Sequence, residues 1–224
     1  MSMEKQVSVN CPNCKTKISL TMWETLNASL NPEVAERLIQ GGFFNVTCSR
    51  CHFVTQVVYP LLYHDMDNNT MVQYVPISSD PESASQLEDY RRTFKEAMSF
   101  GVMGRLASMR PKFRIVTNAN DLQEKAIILR AGLDDCVIEI IKAIKLAKAQ
   151  QARRVLMLER ARYFVDKAGK QWILFFDYHD NEKLSTPFDM KEYEYLKQIL
   201  PLNDISDDII DLRWAQRFIQ KSRK

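Results

Sequence analysis

Cys11-Pro12-Asn13-Cys14 and, beyond the stretch Lys15 to Thr47, Cys48-Ser49-Arg50-Cys51 decide how this chain is read. Each Cys-x-x-Cys turn places two thiolates on one side of an ion. Two such turns supply the four sulfurs that zinc takes in tetrahedral structural sites, at about 2.3 Å each. Four thiolates close the coordination sphere, so Cys11, Cys14, Cys48 and Cys51 read as ligands of one structural Zn2+ rather than as catalytic groups. The competing reading is a redox dithiol, which opens a helix after a strand. Here Val7-Ser8-Val9 and Ile18-Ser19-Leu20-Thr21-Met22 alternate apolar with polar residues, which predicts strands on both sides of the turn. The outcome is a zinc-ribbon-like hairpin.

Working outward, Asn31 as N-cap, Pro32 at the first helical position, Glu33 and Glu36 near the positive end and Gly41-Gly42 as the stop predict a short helix inserted between the pairs. Phe43 to Thr47 enters the second knuckle and Phe53 to Tyr63 leaves it as one long apolar strand. Met71 to Ile77 is its antiparallel partner across the polar turn Asp65 to Thr70. Residues 1–78 form one module on this reading. The polar Ser78 to Ser83, with Asp80 capping and Pro81 following, marks the boundary to a second α+β module over 79–224.

That second module reads as helices to about residue 150, then a β-hairpin and further helices. Leu87, Tyr90, Phe94, Ala97 and Met98 share a helical face, with Glu88 and Arg92 paired on another, and Gly101 and Gly104 weaken the continuation. A strand at Phe113 to Val116 precedes a helix opened by Asn120 and stopped by Gly132. Leu133, Val137, Ile140, Ile141 and Ile144 form the apolar stripe of the next helix, with Asp134 and Asp135 in its first turn and Cys136 beside that stripe as a small buried residue. Arg162 to Asp166 and Gln171 to Tyr178 form the hairpin. Asp189 with Glu192 reads as a capping box, and a last helix opens near Ser206 with Ile210, Trp214 and Phe218 on one face. The aromatic residues Phe175, Phe176, Tyr193, Tyr195, Trp214 and Phe218 sit mostly at core spacings rather than as a stacking platform.

At 224 residues, 46% hydrophobic and 26% charged, the chain has ordinary globular composition. Its longest apolar runs, Val57 to Tyr63 and Trp172 to Phe176, fall far short of the roughly 20 residues that cross a bilayer. No apolar stretch precedes Cys11, so the reading is a protein of the reducing cytoplasm, where paired cysteines favour metal over disulfides. Net charge is +3, but residues 1–80 carry five basic against seven acidic side chains. A tetrathiolate zinc adds two further negative charges, making the metal module a poor partner for phosphate backbones.

Taken together, these residues resemble the bacterial and archaeal CpXC family, named for two Cys-Pro-x-Cys motifs. The resemblance rests also on Asn31-Pro32-Glu33, Gly41-Gly42, the tyrosine-rich stretch Tyr59 to Asp67, Phe113 to Val116, and Ala131-Gly132-Leu133-Asp134-Asp135 with Glu139 and Lys142. It covers roughly residues 7 to 145. The chain departs from the family pattern at Ser49, where similar proteins have proline, and at His52, where they have glycine. A serine hydroxyl can make the same tight turn, and histidine tolerates positive φ better than most residues. The resemblance implies no reaction and no particular partner.

The leading functional reading is a zinc-binding, non-catalytic adaptor of the bacterial cytoplasm with a protein partner. The first alternative is nucleic-acid binding through the basic region of residues 142–162, Lys142, Lys145, Lys148, Arg153, Arg154, Arg160 and Arg162. The blander view of that region is a solvated helix face. The second alternative is an enzyme with a site near His64, Asp65 and Asp67, whose blander reading is a solvated turn. His52 and His179 have no catalytic partner in sequence, and neither a Gly-rich phosphate loop nor Gly-x-Ser-x-Gly is present.

Overall fold

A computed structural model describes residues 2–77, 82–99, 111–202 and 205–222. The chain is α+β and divides into two compact units, residues 1–123 and 124–224. No helix among the described residues is long and apolar enough to cross a membrane.

The first unit is built on a five-stranded mixed sheet of order β1-β2-β5-β6-β7. β1 (Met3–Asn10) and β2 (Lys17–Asn27) form the antiparallel hairpin around the first knuckle. The second knuckle sits on a separate two-stranded sheet, β3 (Asn45–Thr47) with β4 (Val54–Gln56). The expected long strand Phe53 to Tyr63 is therefore two: β4 pairs backward with β3, while β5 (Leu61–Asp65) pairs forward with β6 (Thr70–Tyr74). Pro60 lies at the break, where a missing N–H cannot continue a ladder. Thr25 to Asn27 of β2 pair in parallel with Leu62 to His64 of β5, and β6 pairs in parallel with β7 (Lys112–Val116). Parallel neighbours need long crossovers. The first contains helix α1 (Pro32–Ile39) with β3 and β4, the second helix α2 (Glu82–Ser99).

Asn31 occupies the cap position of α1 but its side chain makes no capping hydrogen bond; Asn27 Oδ1 instead accepts the N–H groups of Ser29 and Leu30. On α2, Arg92 bonds Asp89 at 2.6 Å rather than Glu88, and Phe94 stacks on Phe113 of β7. Asp80, Pro81, Gly101 and Gly104 lie outside the described residues, as do the side chains of Ala97 and Met98. The core beside the second knuckle is aromatic, with Phe44 touching Phe43, Tyr59 and Tyr74.

The two knuckles share one backbone geometry. Cys11 N–H donates to Thr16 O and Lys15 N–H to Cys11 O; Cys48 N–H donates to Phe53 O and His52 N–H to Cys48 O, all at 2.9 Å. The fifth residue of each loop is left-handed, Lys15 at φ 61° and His52 at φ 57°. His52 thus stands at a position of positive φ, which glycine adopts most readily, and fills it with a side chain left exposed.

Helix α3 (Ala119–Arg130) runs across the boundary between the units; its first turn is capped by Asn118 Oδ1, which accepts the Asp121 N–H, rather than by Asn120. In the second unit α4 (Asp135–Ala152) is capped by Asp134 and buried along most of its first half. Ile140, Ala143 and Cys136 pack against Ile210, Trp214 and Ala215. The last helix, α6 (Leu212–Lys221), begins at the cap Asp211, later than the Ser206 start expected, and its Trp214 Nε1 donates to Asp207. The hairpin β8 (Arg160–Val165) and β9 (Gln171–Phe176) gains a third strand, β10 (Glu182–Pro187), with helix α5 (Met190–Ile199) following. Asp189 caps α5 as expected, but Glu192 reaches Lys145 rather than back to the cap, and Tyr195 is exposed rather than in the core.

Between α3 and α4 lies a buried charge network. Lys142 Nζ meets Glu124 at 2.8 Å and Glu139 at 3.0 Å; Lys125 Nζ meets Asp135 at 3.2 Å and Glu139 at 3.3 Å. The Tyr163 N–H of β8 donates to Glu124 Oε1 at 2.6 Å. Burial opposes the Lys125 charge, but Asp135 and Glu139 outweigh it and hold its ammonium above the ordinary lysine value. For Glu124 burial wins, and its carboxyl is pushed up despite Lys142.

Removing one member of such a network strands its partners in a low dielectric. Lys125→Met is expected to destabilise the chain by about 3–5 kcal/mol in denaturant unfolding, and a loss under about 1 kcal/mol would mean that water reaches the network. At the second knuckle, His52→Gly should keep or raise the unfolding midpoint, whereas the β-branched His52→Val should cost about 1–2 kcal/mol. Equal midpoints for all three chains would show that the left-handed turn is not a constraint.

Candidate metal centre

The four cysteines of the two knuckles converge. Cys11 and Cys48 are fully buried and Cys14 and Cys51 half-buried; all four sulfurs lie within 4.8 Å of one another. The shortest separations run across the knuckles, Cys11 Sγ to Cys51 Sγ and Cys14 Sγ to Cys48 Sγ, both 3.6 Å. Ligands at about 2.3 Å in a tetrahedron are about 3.8 Å apart, so the quartet has the size of a metal site. None of the four is in a disulfide. Ile18, Val9 and Val46 pack around them and keep one side dry.

Two residues that the sequence reading did not single out shape this site. Thr16 places its hydroxyl 3.4 Å from Cys14 Sγ, and Arg50 Nη1 donates to the same hydroxyl at 3.4 Å. Arg50 comes from the second knuckle and Thr16 from the strand side of the first, so the pair ties the halves together outside the sulfurs. The hydrogen bonds from Thr16, side chain before backbone, pull the Cys14 thiol down to about 6. It is therefore largely thiolate at neutral pH, the form that binds metal. A Thr two residues after the second cysteine was the available signal, and only the folded turn gives it meaning.

The other candidates disperse. His64 and Asp65 are buried at 6% and 5% exposure, not in the solvated turn expected, because β5 is the central strand of its sheet. Asp65 spends its carboxylate on Asn68, accepting the backbone N–H and Nδ2 at 3.0 Å each. His64 Nδ1 lies 3.4 Å from Asn27 Nδ2, Nε2 has no partner among the described residues, and burial holds the imidazole below the ordinary histidine value. Asp67 is exposed beside Ser29. His179 lies exposed in a turn organised by Asp177, which accepts the N–H groups of His179 and Asn181.

Of the basic stretch, Lys142 is buried in the charge network, Lys145 bonds Glu192 at 2.8 Å, and Arg160 and Arg162 both bond Asp180. Arg162 also lies over the Phe176 ring. Lys148 and Arg153 are exposed, and the Arg154 side chain lies outside the described residues. Asp134, Asp135 and Cys136 also approach one another, but at the cap of α4, where Asp134 is occupied by the Cys136 N–H and Asp135 by Lys125.

No curated protein and no solved structure matches the chain. The CpXC protein family matches residues 9–142, a span that runs from the first knuckle through Lys142 of the buried network. With its cysteine quartet drawn together by two matching knuckles, the chain belongs to the CpXC family.

Proposed function

We propose that this chain is a zinc-binding protein whose first unit is a zinc-ribbon-like module, and that it acts as a non-catalytic adaptor with a protein partner in the bacterial cytoplasm. The observation that carries the metal assignment is the sulfur quartet, with 3.6 Å contacts across the knuckles. Cys11, Cys14, Cys48 and Cys51 would hold the ion. Zinc suits an all-thiolate tetrahedral set, and the chemistry it supplies there is structural, since four protein ligands leave no position for water or substrate. Thiols held together without pairing fit a reducing compartment.

The chain's own residues do the rest. The two left-handed turns aim paired sulfurs inward, Thr16 keeps Cys14 deprotonated, and Arg50 partly offsets the negative charge of four thiolates. A protein partner is favoured over a nucleic acid by electrostatics: the first 80 residues are net acidic before any thiolate is counted, and Lys142, Lys145, Arg160 and Arg162 are already in ion pairs.

Purified chain is expected to carry one zinc by elemental mass spectrometry, with the quartet thiols unreactive until a chelator or denaturant is added. Cys48→Ser should lose the metal and expose the remaining thiols. Absence of stoichiometric zinc, with Cys11 to Cys51 reactive in the native chain, would sink the assignment. Capture from the native host should yield a protein that stays bound as salt is raised; nucleic acid alone, released steeply by salt, would overturn the adaptor reading.

A further inference from the structure

β2 and β3 each leave one edge open, and both edges border the same cleft. The bond from Cys11 N–H to Thr16 O fixes the alternation of the β1–β2 ladder. Val9 with Ile18, Val7 with Leu20 and Lys5 with Met22 are then the hydrogen-bonded pairs, and Ser19, Thr21 and Trp23 turn their backbone groups away from β1. One observation agrees with this phase. Gln6 Nε2 reaches Thr21 Oγ1 at 2.7 Å, as side chains of a non-hydrogen-bonded pair can. β5 takes up the far side of β2 only from Thr25 onward.

The second hairpin repeats the logic. Cys48 N–H to Phe53 O and Val57 N–H to Phe44 O make Val46 with Thr55 a hydrogen-bonded pair, so Asn45 and Thr47 point their backbone groups away from β4. The Asn45 N–H is used by Gly42 O, which leaves the Asn45 carbonyl and the Thr47 N–H and carbonyl on that edge. A cavity of about 320 Å³ is lined by Thr21 and Trp23 from β2, by Asn45 and Thr47 from β3, and by Arg37 and Tyr59. Arg37, exposed on α1, is the one charged residue of the lining, and it makes no ion pair among the described residues.

We infer that this cleft receives an extended peptide segment of a protein partner, seated as an added strand between β2 and β3, with one carboxylate side chain on Arg37. Two edges offering donors and acceptors at alternate residues suit a strand and no other polymer, because only a peptide backbone repeats that pattern on both sides. The lone cation sets the required charge. The inference rests on the adaptor reading and adds to it the partner's conformation and charge.

The test uses the full zinc-loaded chain and a displayed library of random decapeptides. Selected peptides should combine β-branched residues with an Asp or Glu, and on binding should slow amide exchange at Thr21 and Thr47, which is expected to be fast in the free chain. Losing a charge-assisted hydrogen bond, Arg37→Glu should weaken these peptides about tenfold to a hundredfold while Arg37→Lys retains most of the binding. Unchanged zinc content in each variant excludes misfolding as the cause. Slow exchange at Thr21 and Thr47 in the free chain, or displacement of the peptide by millimolar acetate, overturns the cleft assignment. Peptides that ignore Arg37 and protect amides elsewhere overturn it too while leaving the adaptor reading intact. A chain that enriches no peptide, and captures no host protein, removes both.

Discussion

A cysteine N–H that bonds the carbonyl five residues on is the constraint from which the first unit is assembled. It occurs at Cys11 and again at Cys48. In each loop it accompanies a left-handed fifth residue, Lys15 or His52, and the sulfurs of one loop meet those of the other at 3.6 Å. The same bond is the first rung of the hairpin that follows. Sulfur geometry and strand phase are thus one choice: a chain that makes the knuckle has already fixed which residues of β2 and β3 face their partners. The apolar contribution is small around the site itself, Ile18, Val9 and Val46 only. A bound structural metal is worth apparent free energies of about 10–16 kcal/mol in small zinc modules, far more than three aliphatic side chains supply.

The second unit solves the opposite problem. Its helices bury charge without a metal, setting three carboxylates against two lysines between α3 and α4. Such an arrangement adds little net stability over an apolar core, yet it penalises every alternative register, because a one-residue slip leaves several buried ions unpaired. That Glu139 Oε2 has no partner among the described residues shows how narrowly the network is satisfied. Knuckles and network therefore fix geometry by the same means, through groups whose separation is costly, one with sulfur and the other with ion pairs.

These differences in mechanism explain what the sequence made legible. The quartet could be read from spacing alone, since a ligand set is a local count that survives ignorance of topology. Helix ends were legible where a side chain caps its own helix, as at Asp134 and Asp189. They were misread where a neighbouring polar residue competed: Asn118 took the role given to Asn120, and Asp211, the one given to the Ser206 region. Strand pairing was harder. Phe53 to Tyr63 is apolar apart from Thr55 and Gln56, and only the pairing of its two halves with different partners reveals the break at Pro60. β10 escaped because Glu182 to Pro187 is a polar edge strand whose one partner, β9, supplies the order that its own residues do not. The burial of His64 and Asp65 was equally hidden, because a central position in a sheet depends on β2 and β6, remote in sequence.

The knuckle constraint also explains why the second hairpin stays apart from the large sheet. β2 is claimed by β1 along most of its length, and its free groups at Ser19, Thr21 and Trp23 look outward. β3 is claimed by β4, with Asn45 and Thr47 outward. The four cysteine sulfurs, all within 4.8 Å of one another, bring the two hairpins together at one end. A direct β2–β3 ladder would need those strands side by side, whereas a cavity lined by Phe43, Phe44 and Tyr59 lies between Thr21 and Trp23 of β2 and Asn45 and Thr47 of β3. The open edges are therefore not an oversight of folding. They follow from two knuckles that fix the phase of each hairpin and bring the two together where the sulfurs meet.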